Sequence, residues 1–557
     1  DRYQTAKDFL IDLRHLKRKI EVEAEIDRTV PPEFRGVTPT VGVSKPPSTV
    51  GDGAASTLHS GSSAEYIVSG IKRHKLVSLA AVVVIVLAIV GISWYVRARN
   101  TEVAIDSVAV MPFENQNRQD DMDYMSDGLT DSIINSLTQL PNLRVIARSS
   151  VFRYKGKQTD PLVAAKELGV RAILTGRILQ RGDSVTISTE LIDARDNKQI
   201  WGEQYDRKVS DLMSVQREIA QEITSNLRLK LSSVEQGQMA KSYTDNAEAY
   251  TLYMKGRFYW NKRTDEGLRK SVEYFNQALE RDPSYALAYA GLADSLFTMG
   301  WYRTLPWNDA WQRSRAAANK ALELDPKLAE AHTTMGMIKA NYEWDWAGAE
   351  KEFKLALELN PKYPTGHHRY SLFLPILGRL DEAVAEAKKA QELDPLSLII
   401  NENVGDVLIV ARRYDEAEKQ LLKTIELDPS FDVAHATLSR VYEAKGMWEK
   451  ALEQNFYNDP STLSRLKKIY AESGEEGLLR ADRDFLLDQA KKGDERSFWI
   501  ATSYAQLGDN DKAFEWLTKA VDERAIIFTY FVSDYRWDKV RSDPRYTAVL
   551  RRVGLAK

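Results

Sequence analysis

Residues 380–429 read LDEAVAEAKKAQELDPLSLIINENVGDVLIVARRYDEAEKQLLKTIELDP, and this stretch decides the fold. It contains two Asp-Pro pairs, Asp394-Pro395 and Asp428-Pro429, whose prolines lie 34 residues apart. Two alanines that precede them, Ala383 and Ala417, keep the same separation. Proline cannot continue a helix, so each pair marks a helix end, and the small residues mark places where two helices approach closely. The stretch therefore predicts a repeated unit of two packed helices.

The same signature extends to both sides of this stretch. Five prolines that follow Asp or Asn are spaced by 43, 35, 34 and 34 residues, at Pro283, Pro326, Pro361, Pro395 and Pro429. A helix pair of this length resembles the tetratricopeptide repeat. We expect about six repeats over residues 248–455, a further one near 494–522 and a capping helix over 545–553. Stacked pairs of this kind form an all-α solenoid, predicted over residues 245–557.

The concave face of such a solenoid offers a groove for an extended peptide or a partner helix. The register places five polar residues on the first helices of successive repeats, where they are predicted to face the groove: His368, Asn403, Asp406, Arg440 and Glu443. The alternative for each of them is an ordinary solvated position. The predicted partner is a protein or peptide bound in this groove.

The first spacing of 43 residues contains an insertion around Trp301–Trp311. Most tryptophans and tyrosines of this region are expected in the repeat core. Three tryptophans, Trp301, Trp307 and Trp311, lie in the insertion and are predicted to form an exposed contact patch.

Residues 102–231 alternate strand and helix signals and predict a small α/β domain with a mixed sheet. Three helices are expected, the first capped by Asp127, the second opened by Asp160-Pro161 and the third over about Leu212–Leu231. Five strands are predicted, over Ser107–Phe113, Leu143–Val151, Ala172–Gln180, Val185–Asp193 and Lys198–Tyr205.

Several short motifs follow one another in this domain: VAVMPF at 108–113, SDGLT at 126–130, VIARSS at 145–150, YKGK at 154–157, ELGV at 167–170 and LIDA at 191–194. Together they resemble the TolB amino-terminal-like domain. The resemblance implies an accessory module that is not an enzyme. It also implies a position between a membrane helix and tetratricopeptide repeats, with an output module that differs from protein to protein.

The amino-acid composition argues against several classes of function. The 77 Lys and Arg residues nearly balance the 80 Asp and Glu residues, which argues against a nucleic-acid binder. Cysteine is absent and the seven histidines are scattered, so no metal site and no cofactor are predicted. Five polar residues lie near strand ends, where α/β domains often bind ligands: Asp127, Arg148, Lys155, Lys157 and Asp206. A helix cap and a solvated loop explain them better than catalysis, so no catalytic residue is predicted.

Residues 76–96, LVSLAAVVVIVLAIVGISWYV, carry no charge and are long enough to span a bilayer. They predict a single transmembrane helix. Three cations before it and two after it favour a cytoplasmic N-terminal side. The predicted location is the bacterial inner membrane, with residues 97–557 outside the cytoplasm.

The segment before residue 76 has two parts. Residues 28–70 contain many Pro, Ser, Thr and Gly residues and predict a flexible linker. Residues 1–27 predict an amphipathic helix in which the run RYQTA at 2–6, Phe9-Leu10 and Asp12-Leu13 resembles the last helix of bacterial serine/threonine protein kinase domains. The 557 residues contain no glycine-rich phosphate loop, His-Arg-Asp loop or Asp-Phe-Gly triplet. The resemblance thus implies a parent kinase whose catalytic domain, with its ATP and Mg²⁺, is missing here.

These observations predict a non-catalytic, membrane-anchored interaction or sensor region of a bacterial signalling protein, in which the parent is a serine/threonine kinase. A homodimer is a further possibility. Two alternatives remain: a cell-envelope scaffold without a kinase, and a membrane-bound transcription regulator or cyclase of the same layout.

Overall fold

The computed structural model describes residues 105–117, 123–140, 142–227, 229, 231–233, 236–237, 241, 243–302, 304–492, 496–524 and 527–556. The chain divides into two units, Asp1–Thr101 and Glu102–Lys557, and all of these residues belong to the second. The helical tail predicted over 1–27, the linker over 28–70 and the transmembrane helix over 76–96 therefore lie outside the described residues.

The first part of the second unit is a mixed sheet with helices packed on it. Its strands are β1 (Ser107–Val110), β2 (Glu114–Asn115), β3 (Arg144–Val145), β4 (Ala172–Arg181), β5 (Ser184–Asp193) and β6 (Lys198–Lys208). Its helices are α1 (Asp123–Thr138), α2 (Arg148–Val151), α3 (Pro161–Leu168) and α4 (Leu212–Asn226). The strand order is β3-β1-β4-β5-β6; β1 runs parallel to β3 and β4, whereas β4, β5 and β6 are antiparallel.

The residues at the turns of this sheet domain are of the types that such turns require. Asp160 caps α3 by accepting a hydrogen bond from the backbone N–H of Leu162, and Gly169 ends the helix with a φ of 64°. Gly182 turns the β4–β5 hairpin with a φ of 62°. Two expectations are wrong. Only Arg144–Val145 of the predicted second strand is extended, and α1 begins at Asp123, so Asp127 lies inside the helix and does not cap it.

The second part is a series of helix pairs. Repeats 1 to 6 are the pairs α5 (Ala247–Trp260) with α6 (Asp265–Arg281), α7 (Ala286–Trp301) with α8 (Trp307–Leu324), α9 (Ala329–Ile338) with α10 (Trp346–Leu359), α11 (Pro364–Phe373) with α12 (Leu380–Leu393), α13 (Leu398–Val410) with α14 (Tyr414–Leu427), and α15 (Asp432–Ala444) with α16 (Trp448–Asn455). Further helices follow as α17 (Pro460–Lys491), α18 (Ser497–Leu507), α19 (Asn510–Asp522), α20 (Phe528–Ser533) and α21 (Pro544–Arg552).

The predicted proline signature marks real helix ends. The residue before each of the first four prolines donates its backbone N–H to the carbonyl of an alanine four residues earlier, at 2.8–2.9 Å; these alanines are Ala278, Ala321, Ala356 and Ala390. All four are fully buried, as close helix packing requires. At Gly405 an added Cβ would lie 2.5 Å from Leu421 Cγ, so this position in repeat 5 admits only glycine without a shift of the neighbouring helix.

The tryptophans of the insertion form core and not an exposed patch. Trp311 is fully buried, and its ring packs edge-on against Phe297 and at 5.2 Å from Trp307. The extra residues lengthen α7 and α8, so the indole rings stack between helices. Of these three tryptophans, Trp301 has the largest exposed fraction, 36%.

No helix among the described residues is both long enough and apolar enough to cross a membrane. The predicted fold class, which includes a transmembrane helix, and the predicted inner-membrane location are contradicted by this finding. The physical reason is that the described helices are amphipathic or are buried between neighbours; α17, for example, carries many charged side chains and consists of two helical segments joined at Gly474, whose φ of 60° is not helical. The described part of the chain is a largely helical solenoid with a small mixed-sheet domain.

Candidate functional site

The predicted groove residues lie on the first helices of repeats 4 to 6, and we call the surface that the first helices of the repeats form the inner face. Asp406 on α13 and Arg440 on α15 form an ion pair of 2.5 Å. Asn403, one turn before Asp406, donates its amide to the Ser371 hydroxyl at 2.8 Å. Glu443 accepts a hydrogen bond of 3.2 Å from the Tyr535 hydroxyl. Asp406, Arg440 and Glu443 thus belong to one polar network, which Tyr530 and Tyr535 connect, whereas Asn403 contacts repeat 4.

His368 lies apart from that network, in repeat 4. Burial, together with the positive charges of Arg369 and Arg263, lowers the pKa of the His368 imidazole to about 3. The ring is therefore neutral at physiological pH and cannot attract an acidic partner by charge.

The C-terminal end of the chain occupies the inner face of repeats 4 to 6. This C-terminal strap, residues 527–541, comprises α20 and a 3₁₀ turn over Tyr535–Val540. Its Asp534 carboxylate contacts Arg440 at 2.9 Å, and its Tyr530 hydroxyl donates to Asp406 at 3.1 Å. Thr529 and Ser533 donate to backbone carbonyls of repeat 4. The chain's own strap thus contacts three of the predicted groove residues, Asp406, Arg440 and Glu443, and the binding role of all five stays a prediction.

Apolar burial fixes the strap in this position. Three of its five aromatic rings, those of Phe528, Phe531 and Trp537, are completely buried. Each fully buried ring contributes roughly 2–3 kcal/mol relative to exposure, so the strap is part of the folded core. Sequence reasoning missed it, although the aromatic run FTYFVSDYRW at 528–537 was a signal that a buried segment follows the last repeat.

Two acids at the inner face, Glu402 and Asp534, have pKa values that are shifted in opposite directions. Burial, and secondarily the nearby Asp406 charge, raise the pKa of the Glu402 carboxyl to about 8. Asp534 behaves in the opposite way: burial alone would raise its pKa, but the charges of Arg536 and Arg440 outweigh it and hold the pKa well below its usual range.

The strap reaches repeat 3 through Phe528, whose ring packs edge-on against Trp344 and Trp346, but it lines no part of the inner-face cleft of repeats 1 to 3. Here a cleft of about 160 Å³ lies between α5, α7 and α9 on one side and α1 and α4 on the other, and we call this surface the open inner face. Among the described residues, the hydroxyls of Tyr253, Tyr285 and Tyr363 make no hydrogen bond, and the Glu330 carboxylate accepts only from its own backbone N–H. These groups are available to pair with the backbone of a bound peptide.

The sheet domain docks onto the turns of the repeats through specific polar contacts. The Ser150 hydroxyl donates to Asp394 at 2.6 Å and accepts the backbone N–H of Leu396 at 2.7 Å. The Lys362 ammonium donates to the carbonyls of Leu140 and Leu143. Apolar packing continues the interface at repeat 1, where Met254 of α5 belongs to the core of the sheet domain.

Three of the polar residues that the sequence placed near strand ends come together. Lys155 contacts both Asp123 and Asp127 at 2.7 Å, and Arg148 lies 3.6 Å from Asp127. Lys155 is therefore part of an ion-pair cluster rather than a solvated loop residue. Lys157 is exposed, and Asp206 lies elsewhere, on β6, where it accepts a hydrogen bond from Thr186.

Three segments of the chain match known families. Residues 104–223 match the family described as the second domain of HilA/YgeH-like transcriptional regulators. Residues 377–430 and 496–525 each match the tetratricopeptide repeat. The chain contains tetratricopeptide repeats. The resemblance of residues 102–231 to the TolB amino-terminal-like domain stays a prediction.

The chain is also similar to two curated bacterial proteins. It is 29% identical over 286 residues to "Putative adenylate cyclase 3" of Rhizobium meliloti, covering 50% of this chain and 41% of that protein. It is 19% identical over 291 residues to the transcriptional regulator HilA of Salmonella typhimurium, covering 52% of this chain and 51% of that protein. The chain thus spans about half the length of these relatives or less.

Two of the solved structures that match parts of the chain are YrrB and IFIT1. YrrB, a TPR protein with an unusual peptide-binding site, is 24% identical, covers 35% of this chain and 98% of its own, and gives a TM-score of 0.26. A monomeric IFIT1 mutant with Gppp-AAAA is 15% identical, covers 71% of this chain and 95% of its own, and gives a TM-score of 0.38.

Proposed function

We propose that this chain is the protein-interaction region of a bacterial signalling protein and that it docks a partner peptide on the open inner face. The observation that carries the proposal is the contrast within the groove: the strap fills the inner face of repeats 4 to 6, whereas the face of repeats 1 to 3 keeps unpaired polar groups. Tetratricopeptide repeats support a role in protein binding rather than catalysis.

The neighbouring sheet domain gives the open inner face a second wall. Because Arg257 on α5 pairs with Asp131 on α1 at 3.1 Å, the two sides of the cleft are held at a fixed separation. A rigid cleft loses less entropy on binding than one that must close, so it suits an extended segment with a defined sequence. A dimer formed by two copies of the chain stays a prediction.

The relatives favour a cyclase or a transcription regulator as the whole protein. The similarity to the R. meliloti and S. typhimurium proteins covers 50% and 52% of this chain, and these names correspond to the alternative that the sequence left open. The prediction of a serine/threonine kinase depends on residues 1–27, which lie outside the described residues. ATP and Mg²⁺ would be needed only by the kinase catalytic domain. Assays of the full-length protein for cyclase, DNA-binding and kinase activity separate the three.

The docking proposal is tested by capturing partners from the source bacterium with the chain and with a double variant, Tyr363→Ala with Glu330→Ala. We expect the variant to retain at most one tenth of a captured partner. The matched control, Tyr457→Ala with Glu449→Ala on repeat 6 and its following turn, should retain all of it. Equal capture by both variants, or no partner above background, would contradict the proposal.

A further inference from the structure

A second cleft lies outside the inner face, where α1 of the sheet domain meets α5 and α6 of repeat 1. Its volume is about 650 Å³, within the range of roughly 300–1,000 Å³ that small-molecule sites occupy. Four aromatic rings line it, those of Tyr124, Phe258, Tyr259 and Tyr274. The ion-pair cluster of Asp127, Lys155 and Arg148 lies at one side of it.

Two lysines of this cleft have no anionic partner. The Lys255 ammonium lies 4.7 Å from the centre of the Tyr124 ring, and the Lys262 ammonium lies 4.6 Å from the centre of the Phe258 ring. Neither ammonium forms an ion pair or hydrogen bond within the described residues. An ammonium above a ring face keeps N–H donors free, so both lysines can bind an anion without giving up an existing bond.

The carboxylates of the cleft form their ion pairs with a third lysine. Asp123 and Asp127 both contact Lys155 at 2.7 Å. Hydrogen bonds to Asn115 and Lys155, together with nearby positive charge, outweigh burial and lower the pKa of the Asp123 carboxyl. The lining carries four cations, Arg148, Lys155, Lys255 and Lys262, against the two carboxylates, so its net charge is positive.

The aromatic rings provide a rigid wall beside this charge. The rings of Tyr259 and Tyr274 stack with their centres 5.4 Å apart and 13° between their planes, while Phe258 packs edge-on against Tyr259. Stacking of a nucleobase on a protein ring contributes about 1–3 kcal/mol and tolerates any base, because every base has a flat π face. A ligand that uses both features has a planar ring and an anionic group.

We propose that this cleft binds a nucleoside phosphate, with the phosphate on Lys255 and Lys262 and the base against the tyrosine rings. The proposal goes beyond peptide docking, because the cleft and the open inner face lie on different sides of α5 and share no lining residue. A ligand here would contact both the sheet domain and repeat 1, so its binding would stabilise their interface.

The test is isothermal titration calorimetry of the chain with ATP and GTP, each compared with inorganic tripolyphosphate and with adenosine. We expect ATP or GTP to bind at least tenfold more tightly than tripolyphosphate or adenosine alone. The double variant Lys255→Gln with Lys262→Gln should weaken that binding at least tenfold. The matched control is Lys450→Gln, because Lys450 lies 5.4 Å from the Tyr442 ring centre on repeat 6, far along the chain from the cleft.

Three results would overturn the proposal. One is the absence of ATP and GTP binding at millimolar concentration. Another is tripolyphosphate binding as tight as that of the nucleotides, which indicates charge without ring recognition. The third is nucleotide binding that the double variant leaves unchanged. Thermal unfolding of each variant verifies that a loss of binding does not come from a loss of folding.

Discussion

At the scale of single residues, the inner face places two acids one helical turn apart and gives only one of them a cation. Asp406 has Arg440 at 2.5 Å, whereas Glu402 has the Thr437 hydroxyl at 2.6 Å as its hydrogen-bond partner. With a pKa of about 8, Glu402 holds a proton at neutral pH in the folded chain and releases it on unfolding. The folded state therefore binds more protons than the unfolded state between the ordinary glutamate pKa and about 8.

This difference predicts the pH dependence of a substitution at Glu402. Since the folded-state pKa is raised, the free energy of unfolding should fall as pH rises through that window. Glu402→Gln keeps the shape of the neutral carboxyl group and removes its titration. Relative to the parent chain, it should become more stable by roughly 1–3 kcal/mol between pH 5.5 and pH 8.5, measured by urea denaturation. The control is Glu426→Gln at an exposed position, where the difference in stability from the parent chain should not change with pH. If the difference for Glu402→Gln is also independent of pH, the prediction is contradicted.

At the scale of the helix and its turn, one aspartate of the repeat signature has a different role from the others. Asp282 and Asp428 accept the backbone N–H two residues further on, which closes their own turn. Asp394 occupies the same position in repeat 4, but its carboxylate accepts the Ser149 and Ser150 hydroxyls of α2. A turn residue of the solenoid has thus become an anchor of the sheet domain.

The comparison of Asp394→Ala with Asp428→Ala tests this anchor. Both changes remove a turn aspartate, but only the first leaves two serine hydroxyls without their buried acceptor. We expect Asp394→Ala to lower the free energy of unfolding by roughly 2–3 kcal/mol and Asp428→Ala by about 1 kcal/mol or less. Amide hydrogen exchange should rise in α2 for the first variant alone. Equal losses of stability would show that Asp394 acts only on its own turn.

The sequence predicted the helix ends of the repeats correctly, because they depend on residues that are close together in the chain. Proline spacing and alanine positions locate helix ends because backbone chemistry decides them within one turn. Contacts distant in sequence escaped prediction: Asp127 pairs with Lys155 and Arg148 instead of capping α1, Trp311 is buried by helices that precede and follow it, and Arg440 meets Asp534 across 94 residues. A periodic pattern places a residue on the inner face, but it does not reveal what covers that face.

At the scale of the whole second unit, the solenoid is constrained from both ends. An ordinary repeat array has stability that sums over neighbouring repeats. Here the sheet domain contacts repeat 1 and the turns of repeats 3 to 5, and the strap contacts the inner face of repeats 4 to 6. Such long-range contacts couple repeats that do not touch one another, so we expect one cooperative unfolding transition.

Asp534 provides the test of this coupling, because it is completely buried and holds both Arg440 and Arg536. Asp534→Asn leaves Arg536 without its carboxylate and Arg440 with Asp406 alone, and it should cost about 3–5 kcal/mol. Hydrogen exchange should then increase in α13 and α15, although both helices are distant in sequence. Asp538→Asn is the control: its partner Arg412 is partly exposed, so the loss should stay within about 1 kcal/mol. A change confined to the strap would refute the coupling.

The anchor at Asp394 also limits how this array can change in length. Open arrays gain or lose whole 34-residue units by duplication and deletion, because each added unit only extends the stack. In this chain, an extra unit between repeat 1 and repeat 4 would move Asp394 away from Ser150 while Met254 stays in the sheet domain. Units could then be added only beyond the anchored segment, so natural variants of this architecture should keep a constant repeat count between these two points.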